Sequence, residues 1–201
     1  MTSRQALRAA LDGFVGRDVA ERSDVERIRA LIDAGDPWLR STPLHVTCSA
    51  IVVDLPRGRL LLRWHGRMKM WMQVGGHADE GESDPWQIAF REAQEETGLP
   101  DLTAWPCLSR ESGVVAPIQV VIVPVPAHRD EPAHEHADIR YLFATQCPDR
   151  VAAESPDTPL KWLSVDAALQ EVSEENLREL LQRAGHLLQV HAREFKPLES
   201  L

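Results

Sequence analysis

Paired cysteines are missing from this chain. Its three, Cys48, Cys107 and Cys147, stand far apart, which fits neither a zinc-ligand spacing nor a disulfide framework. Each is read as a small buried apolar residue, and reduced thiols suit a cytoplasmic location. No apolar run approaches the roughly 18 residues that a membrane span needs. The first residues lack an apolar core behind a basic start, because Arg4, Arg8, Asp12 and Arg17 interrupt them, so a signal peptide is not expected. Basic residues are also short, 22 Lys and Arg against 31 Asp and Glu, for a formal charge of −9. That balance excludes the broad basic stripe of a nucleic-acid surface and disfavours an anionic membrane as a partner. Internal repeats and low-complexity tracts are absent too, so the 201 residues suit one domain with additions.

What the chain does have is a glycine-rich turn ahead of an acidic helix. Gly75-Gly76-His77-Ala78-Asp79-Glu80-Gly81-Glu82 is followed by Arg91-Glu92-Ala93-Gln94-Glu95-Glu96-Thr97-Gly98-Leu99. Asp84 can cap a helix, Pro85 fits its first position, and Gln87 completes a capping-box pattern. Gly98 and Pro100 stop it, so the spacing predicts a helix over 85–97. At about 100° per residue, Trp86, Phe90, Ala93 and Thr97 form the expected buried stripe. Glu92 and Glu96 then project side by side away from it, with Glu95 on the other flank of Glu92. Like charges at this spacing repel. A divalent cation reverses the sign of that interaction, and Mg²⁺ takes carboxylates, water and phosphate oxygens. The two glycines let backbone approach a ligand closely, so a carbonyl there can join the metal shell. A solvated acidic face is the plainer alternative. A cation bound here points to pyrophosphate chemistry, and it supplies the local positive charge that an acidic protein needs to receive a polyphosphate.

This pattern resembles the signature box of the Nudix hydrolases: Gly76, five residues, Glu82, then Arg91-Glu92-Ala93-Gln94-Glu95-Glu96-Thr97-Gly98-Leu99. One residue more than in the family pattern separates Glu82 from Arg91. It falls around Ser83–Asp84, before the helix, where a loop absorbs it. The resemblance implies an α/β fold, an α/β/α sandwich around a mixed sheet. It implies that Glu92, Glu95 and Glu96 bind Mg²⁺ or Mn²⁺ with help from the Gly75 or Gly76 carbonyl. It implies that Arg91 pairs with a glutamate, with Glu82 the nearest choice, and holds the loop against the helix. Family members differ in whether the general base is a box glutamate or a later acidic residue. The implied activity is metal-dependent cleavage of a nucleoside diphosphate linked to another group, or of a related nucleotide. The alternatives are a regulator that binds such a metabolite without cleaving it, and an isomerase on the same fold using Cys48 with an acid.

The rest of the chain frames that motif. Residues 1–40 read as a two-helix extension, the second helix starting near Ser23 with Glu26 completing a capping box. We expect it to serve packing or a homodimer contact, with a substrate lid as the other reading. Residues 41–201 form the expected catalytic domain. Strands are predicted at 45–53, 59–64, 70–74, 102–108, 118–125, 139–145 and 160–163, and a final helix at 173–191. The strand at 118–125 is apolar throughout, which predicts burial on both faces. Residues 127–137 read as a polar loop between strands. Around the box, Trp71 can stack on a base, and Gln73 and His77 can face the pocket. His134 and His136 can contact a phosphate or orient a carboxylate, or ligate a separate transition metal. Asp138, Glu131 or Glu135 can supply a further ligand or the base. Lys69, Arg63 and Arg67 are nearby cations for a phosphate, with a solvated surface as the default for the arginines.

Overall fold

A computed structural model describes residues 3–106, 115–129 and 131–191. In chain order its elements are α1 (Ser3–Asp12), α2 (Val19–Ala34), β1 (Leu44–Asp54), β2 (Arg59–His65), β3 (Met70–Met72), β4 (Val74–His77), α3 (Pro85–Thr97), β5 (Thr103–Ala104), β6 (Gln119–Val125), β7 (His134–Thr145), β8 (Leu160–Leu163), α4 (Val165–Glu171) and α5 (Glu175–His191). A 3₁₀ turn spans Pro148–Arg150. Among the described residues, eight strands hydrogen-bond into a mixed sheet with helices flanking it, an α/β fold. No helix among the described residues is long and apolar enough to cross a membrane.

The chain divides into two compact units that interleave in sequence. The first comprises Met1–Ser49, Gly75–Glu92 and Leu108–Tyr141. The second comprises Ala50–Val74, Ala93–Cys107 and Leu142–Leu201.

In the first unit, β6 pairs antiparallel with β7 over Gln119↔Arg140 to Val125↔His134. Two backbone N–H groups of β6 are taken by side chains of α2. Val120 N–H donates to Glu21 at 3.3 Å and Ile122 N–H to Asp24 at 2.9 Å. Residues two apart point their N–H groups the same way, so two carboxylates of one helix cover a strand edge that would otherwise template another chain. Burial raises the Asp24 carboxyl above its ordinary value, partly offset by the hydrogen bond from Ile122. The apolar face of α2, Val25, Ile28 and Ile32, is buried. This helix starts at Val19, four residues before the predicted start, because Asp18 is the cap and accepts from Glu21 N–H.

Burial of β6 falls short of the two-sided burial that its apolar sequence predicts: only Gln119 and Val120 are fully buried. Strand β7 begins five residues earlier than the pattern predicts, at His134. The polar segment His134–Asp138 is therefore strand, held in the ladder by β6. Backbone pairing is indifferent to the side chains that hid it.

In the second unit, β1 pairs with β2 (Val52↔Leu61), β2 with β3 (Trp64↔Trp71) and with β8 (Leu61↔Trp162), all antiparallel, and β5 pairs with the end of β7. Leu60, Leu61 and Leu62 are wholly buried, as are Leu180, Leu181 and Ala184 of α5. Each such leucine contributes about 1.5–3 kcal/mol relative to exposure. The weak strand predicted at 102–108 shrinks to Thr103–Ala104; Cys107 and Leu108 lie outside the described residues.

Candidate active site

Helix α3 runs over the predicted span. Asp84 caps it, accepting from Trp86 N–H at 3.0 Å, while its carbonyl accepts from Ile88 N–H at 3.0 Å. Its buried face is Ile88, Ala89, Ala93, Glu96 and Thr97. Trp86 and Phe90, predicted for the centre of that face, lie half-buried at its margin and stack on each other with ring centroids 5.2 Å apart. The apolar stripe is thus rotated, and it carries Glu96 inward.

Arg91 organises the front of the helix. Its Nε and Nη2 donate to the two carboxylate oxygens of Glu82 at 2.9 and 2.8 Å. Nη2 also donates to the His77 carbonyl at 3.0 Å, and Nη1 to Glu92 at 3.1 Å. A planar guanidinium matches this bidentate geometry and an ammonium does not. The extra residue between Glu82 and Arg91 does not displace Glu82, because Glu82 closes its own turn, accepting from Asp79 N–H at 2.8 Å. The glycine turn is equally tight. A Cβ at Gly76 would lie 2.6 Å from a Glu92 carboxylate oxygen, so a larger residue there would push that carboxylate aside.

The hydrogen bond from Arg91 holds the Glu82 carboxyl below its ordinary value of 4.5, against an opposing but smaller effect of desolvation. A depressed carboxyl stabilises the fold above its unfolded value and loses that contribution as pH falls through the folded one. The stability gap between wild type and Glu82→Gln, read from urea unfolding, is therefore expected to shrink as the pH drops from neutral to below 4.5. A gap independent of pH would contradict the pairing. Arg91→Lys is expected to keep the charge and lose the fork. Activity should fall ~10–100-fold, the usual cost of removing a group that orients a ligating side chain.

The remaining acids of α3 differ from each other. Glu95 is exposed. Glu96 is 7% exposed and pairs with Arg63 of β2 at 3.2 Å, and Arg63 also reaches Glu154 at 3.6 Å. Arg63, a candidate cation for a phosphate with a solvated surface as its default, lies instead against a box glutamate. The donor set on α3 is oxygen only, and the Gly76 backbone is packed on one of its acids. Both features fit a hard divalent cation such as Mg²⁺.

Trp71 packs edge-on against Trp64 at 5.5 Å, with the Lys161 ammonium 5.4 Å from its ring centre. Gln73 is half-buried between β3 and β4. Asp138 sits inside β7, 4% exposed, and accepts from Ser49, Thr47 and Arg140 at 2.8, 3.2 and 2.7 Å. Arg140 is itself buried and also donates to Gln119 at 2.9 Å. Cys48 is fully buried, and burial pushes its thiol up, the wrong direction for a nucleophile.

His77, His134 and His136 come together with His45, which the sequence reading passed over as the start of a strand. Ring centroids of His45 lie 5.1, 5.3 and 4.9 Å from those of His77, His134 and His136. Burial, reinforced by the neighbouring imidazoles, lowers His77 to about 3 and His136 to about 4. His45 is lowered as well, chiefly by burial. The alternation His134–Glu135–His136 was the available signal, since residues two apart share one face of a strand.

The family model of the NUDIX domain matches residues 43–184, and the chain belongs to that family. It is a Nudix-type hydrolase. Among curated proteins it is similar to a probable DHNTP pyrophosphohydrolase of Lactococcus lactis subsp. cremoris, 27% identical over 72% of this chain and 81% of that protein. Among solved structures it is similar to an Ap4A hydrolase of C. elegans, with a TM-score of 0.52 and 20% identity over 72% of this chain and 96% of the other. The dihydroneopterin triphosphate pyrophosphohydrolase of E. coli gives a TM-score of 0.52 and 18% identity, over 71% and 94%. These two structures speak to the fold alone.

Proposed function

We propose that this enzyme is a Mg²⁺- or Mn²⁺-dependent pyrophosphohydrolase that cleaves a nucleoside diphosphate linked to another group, or a related nucleotide. The observation that carries this reading is the Arg91 clamp. It ties Glu82, the His77 carbonyl and Glu92 together, and so fixes the glycine turn beside an acidic helix. Glu92, Glu95 and Glu96 would hold the ion, with the Gly76 carbonyl assisting. A bound divalent ion supplies Lewis-acid polarisation of phosphoryl oxygens.

The chain's own residues supply the rest. Arg91 orients Glu92 and neutralises Glu82. Arg63 sets the direction of Glu96. A box carboxylate accepts the proton of the attacking water as its oxygen bonds to phosphorus and the bridging oxygen departs. Trp71 and Gln73 remain the substrate-side residues, supported by the half-exposed indole beside the Lys161 ammonium.

The test is a screen of nucleotide-linked diphosphates and of dihydroneopterin triphosphate, named for the E. coli protein above, with Mg²⁺ or Mn²⁺. Released phosphate is read directly and after phosphatase coupling. Metal-dependent release from at least one compound is expected. Tight binding of every compound with none cleaved would overturn the reading.

A further inference from the structure

Eight histidines occur in the chain, and four of them meet in one patch of the first unit. His45 comes from the start of β1, His77 from the end of β4, and His134 and His136 from one face of β7. The Nε2 atoms of His45 and His77 are 3.1 Å apart, and so are those of His134 and His136. One ligand nitrogen from each of His45, His134 and His136 lies within 4.8 Å of the other two. We propose that His45, His134 and His136, with His77 as the fourth ligand, bind a Zn²⁺-class transition-metal ion, separately from the oxygen site on α3.

Two rings are already held for that task. His45 Nδ1 lies 3.1 Å from the Thr42 carbonyl, and His134 Nδ1 lies 2.9 Å from the Pro132 carbonyl. A carbonyl only accepts, so both Nδ1 atoms carry the proton and both Nε2 atoms present a lone pair. Backbone carbonyls orient metal-ligating imidazoles in this way. Each Nε2···Nε2 contact then requires the proton on the other partner, so His77 and His136 donate from Nε2. Metal entry moves those two protons: each ring releases one from Nε2 to water and takes one from water on Nδ1, with no change in net charge.

Spacing agrees with this assignment. At a Zn–N distance of about 2.0–2.1 Å, two nitrogens on a tetrahedral ion are about 3.3 Å apart. Both pairs stand at 3.1 Å. The ligand nitrogens of His45, His134 and His136 lie within 4.8 Å of one another, so they close to that edge with at most about 1.5 Å of ring movement.

Donor chemistry separates the two sites. Four neutral imidazoles suit Zn²⁺ and its neighbours, whereas carboxylates and carbonyls suit Mg²⁺ and Mn²⁺. Position gives the second ion a purpose. His77 ends the strand that carries Gly75 and Gly76, and its carbonyl is held by Arg91. An ion on its ring pins that strand to β1 and β7 and steadies the turn beside Glu92.

The test uses the full chain stripped of metal with a chelator and titrated with Co²⁺. The expected result is one equivalent giving the intense visible bands of tetrahedral cobalt, discharged by Zn²⁺ and unchanged in Glu92→Gln. Removing an outer-shell partner costs ~10–100-fold in affinity, so His45→Ala and His136→Ala, which delete ligands, are expected to weaken binding by at least ~100-fold. X-ray absorption of the zinc-loaded wild type keeps the test independent of how the variants fold; it should show an all-nitrogen imidazole shell. Absence of tetrahedral bands, their survival in both histidine variants, their loss in Glu92→Gln, or an oxygen shell around zinc would each overturn the assignment. Magnesium-dependent hydrolysis with no cobalt site sinks this inference alone. A cobalt site with no hydrolysis sinks only the proposed function.

Discussion

Glu92→Gln is expected to lose turnover by ~10²–10⁴-fold, the range over which a positioned acid–base group accelerates a reaction, while the protein stays folded. The substitution keeps shape and removes one negative charge. Arg91 still has Glu82 on two nitrogens and the His77 carbonyl, so the turn keeps its anchor. What is lost is the carboxylate that the glycine turn packs against. Glu96→Gln is expected to fall by a similar factor. Its carboxylate is buried beside Arg63, and Arg63 retains Glu154 at 3.6 Å when Glu96 is neutral. Steady-state rates with Mg²⁺, alongside thermal melts, check both variants. Wild-type turnover in both would contradict the role given to α3.

Gly75→Ala is expected to cost about 2–6 kcal/mol, combining the penalties for overpacking and for a strained backbone. Gly75 has φ +141, and a Cβ there would lie 2.4 Å from Ser49 Cα and 2.5 Å from the Cys48 carbonyl oxygen. The obstacle is backbone of β1, which cannot swing aside like a side-chain tip. Whole domains are stable by about 5–15 kcal/mol, so the variant should unfold at much lower urea or fail to accumulate as soluble protein. Gly66→Ala is the control, since nothing lies within 4 Å of a Cβ there, and a shift of at most ~0.5 kcal/mol is expected. Equal urea midpoints for Gly75→Ala and wild type would show that β4 does not need its close approach to β1.

Local chemistry made α3 readable from sequence alone. Asp84, Pro85 and Gly98 act within a turn of the helix ends, and the structure places those ends where they dictate. The Arg91–Glu82 pair was expected only through the family resemblance, since the added residue left the position of Glu82 open; in the structure the guanidinium donates to both of its carboxylate oxygens. The features that escaped depend on partners distant in sequence. Glu96 turns inward because the apolar face centres on Ile88, Ala89 and Ala93, and Arg63 comes from another strand to meet it. The polar start of β7 is strand because β6 pairs with it, with His136 opposite Val123. The Val19 start of α2 reflects a capping aspartate outside the Ser23–Glu26 pattern. His45 acquires meaning only once three other histidines, from two other strands, arrive beside it.

The most direct test of the central claim is Mn²⁺ binding to wild type and to a Glu92→Gln/Glu96→Gln double variant, measured by electron paramagnetic resonance with a methylene-bridged diphosphate present. The carboxylates of α3 are assigned to grip a hard cation against a P–O–P linkage, so wild type should bind the ion and the double variant should not. Equal Mn²⁺ affinity in the two proteins would contradict the account.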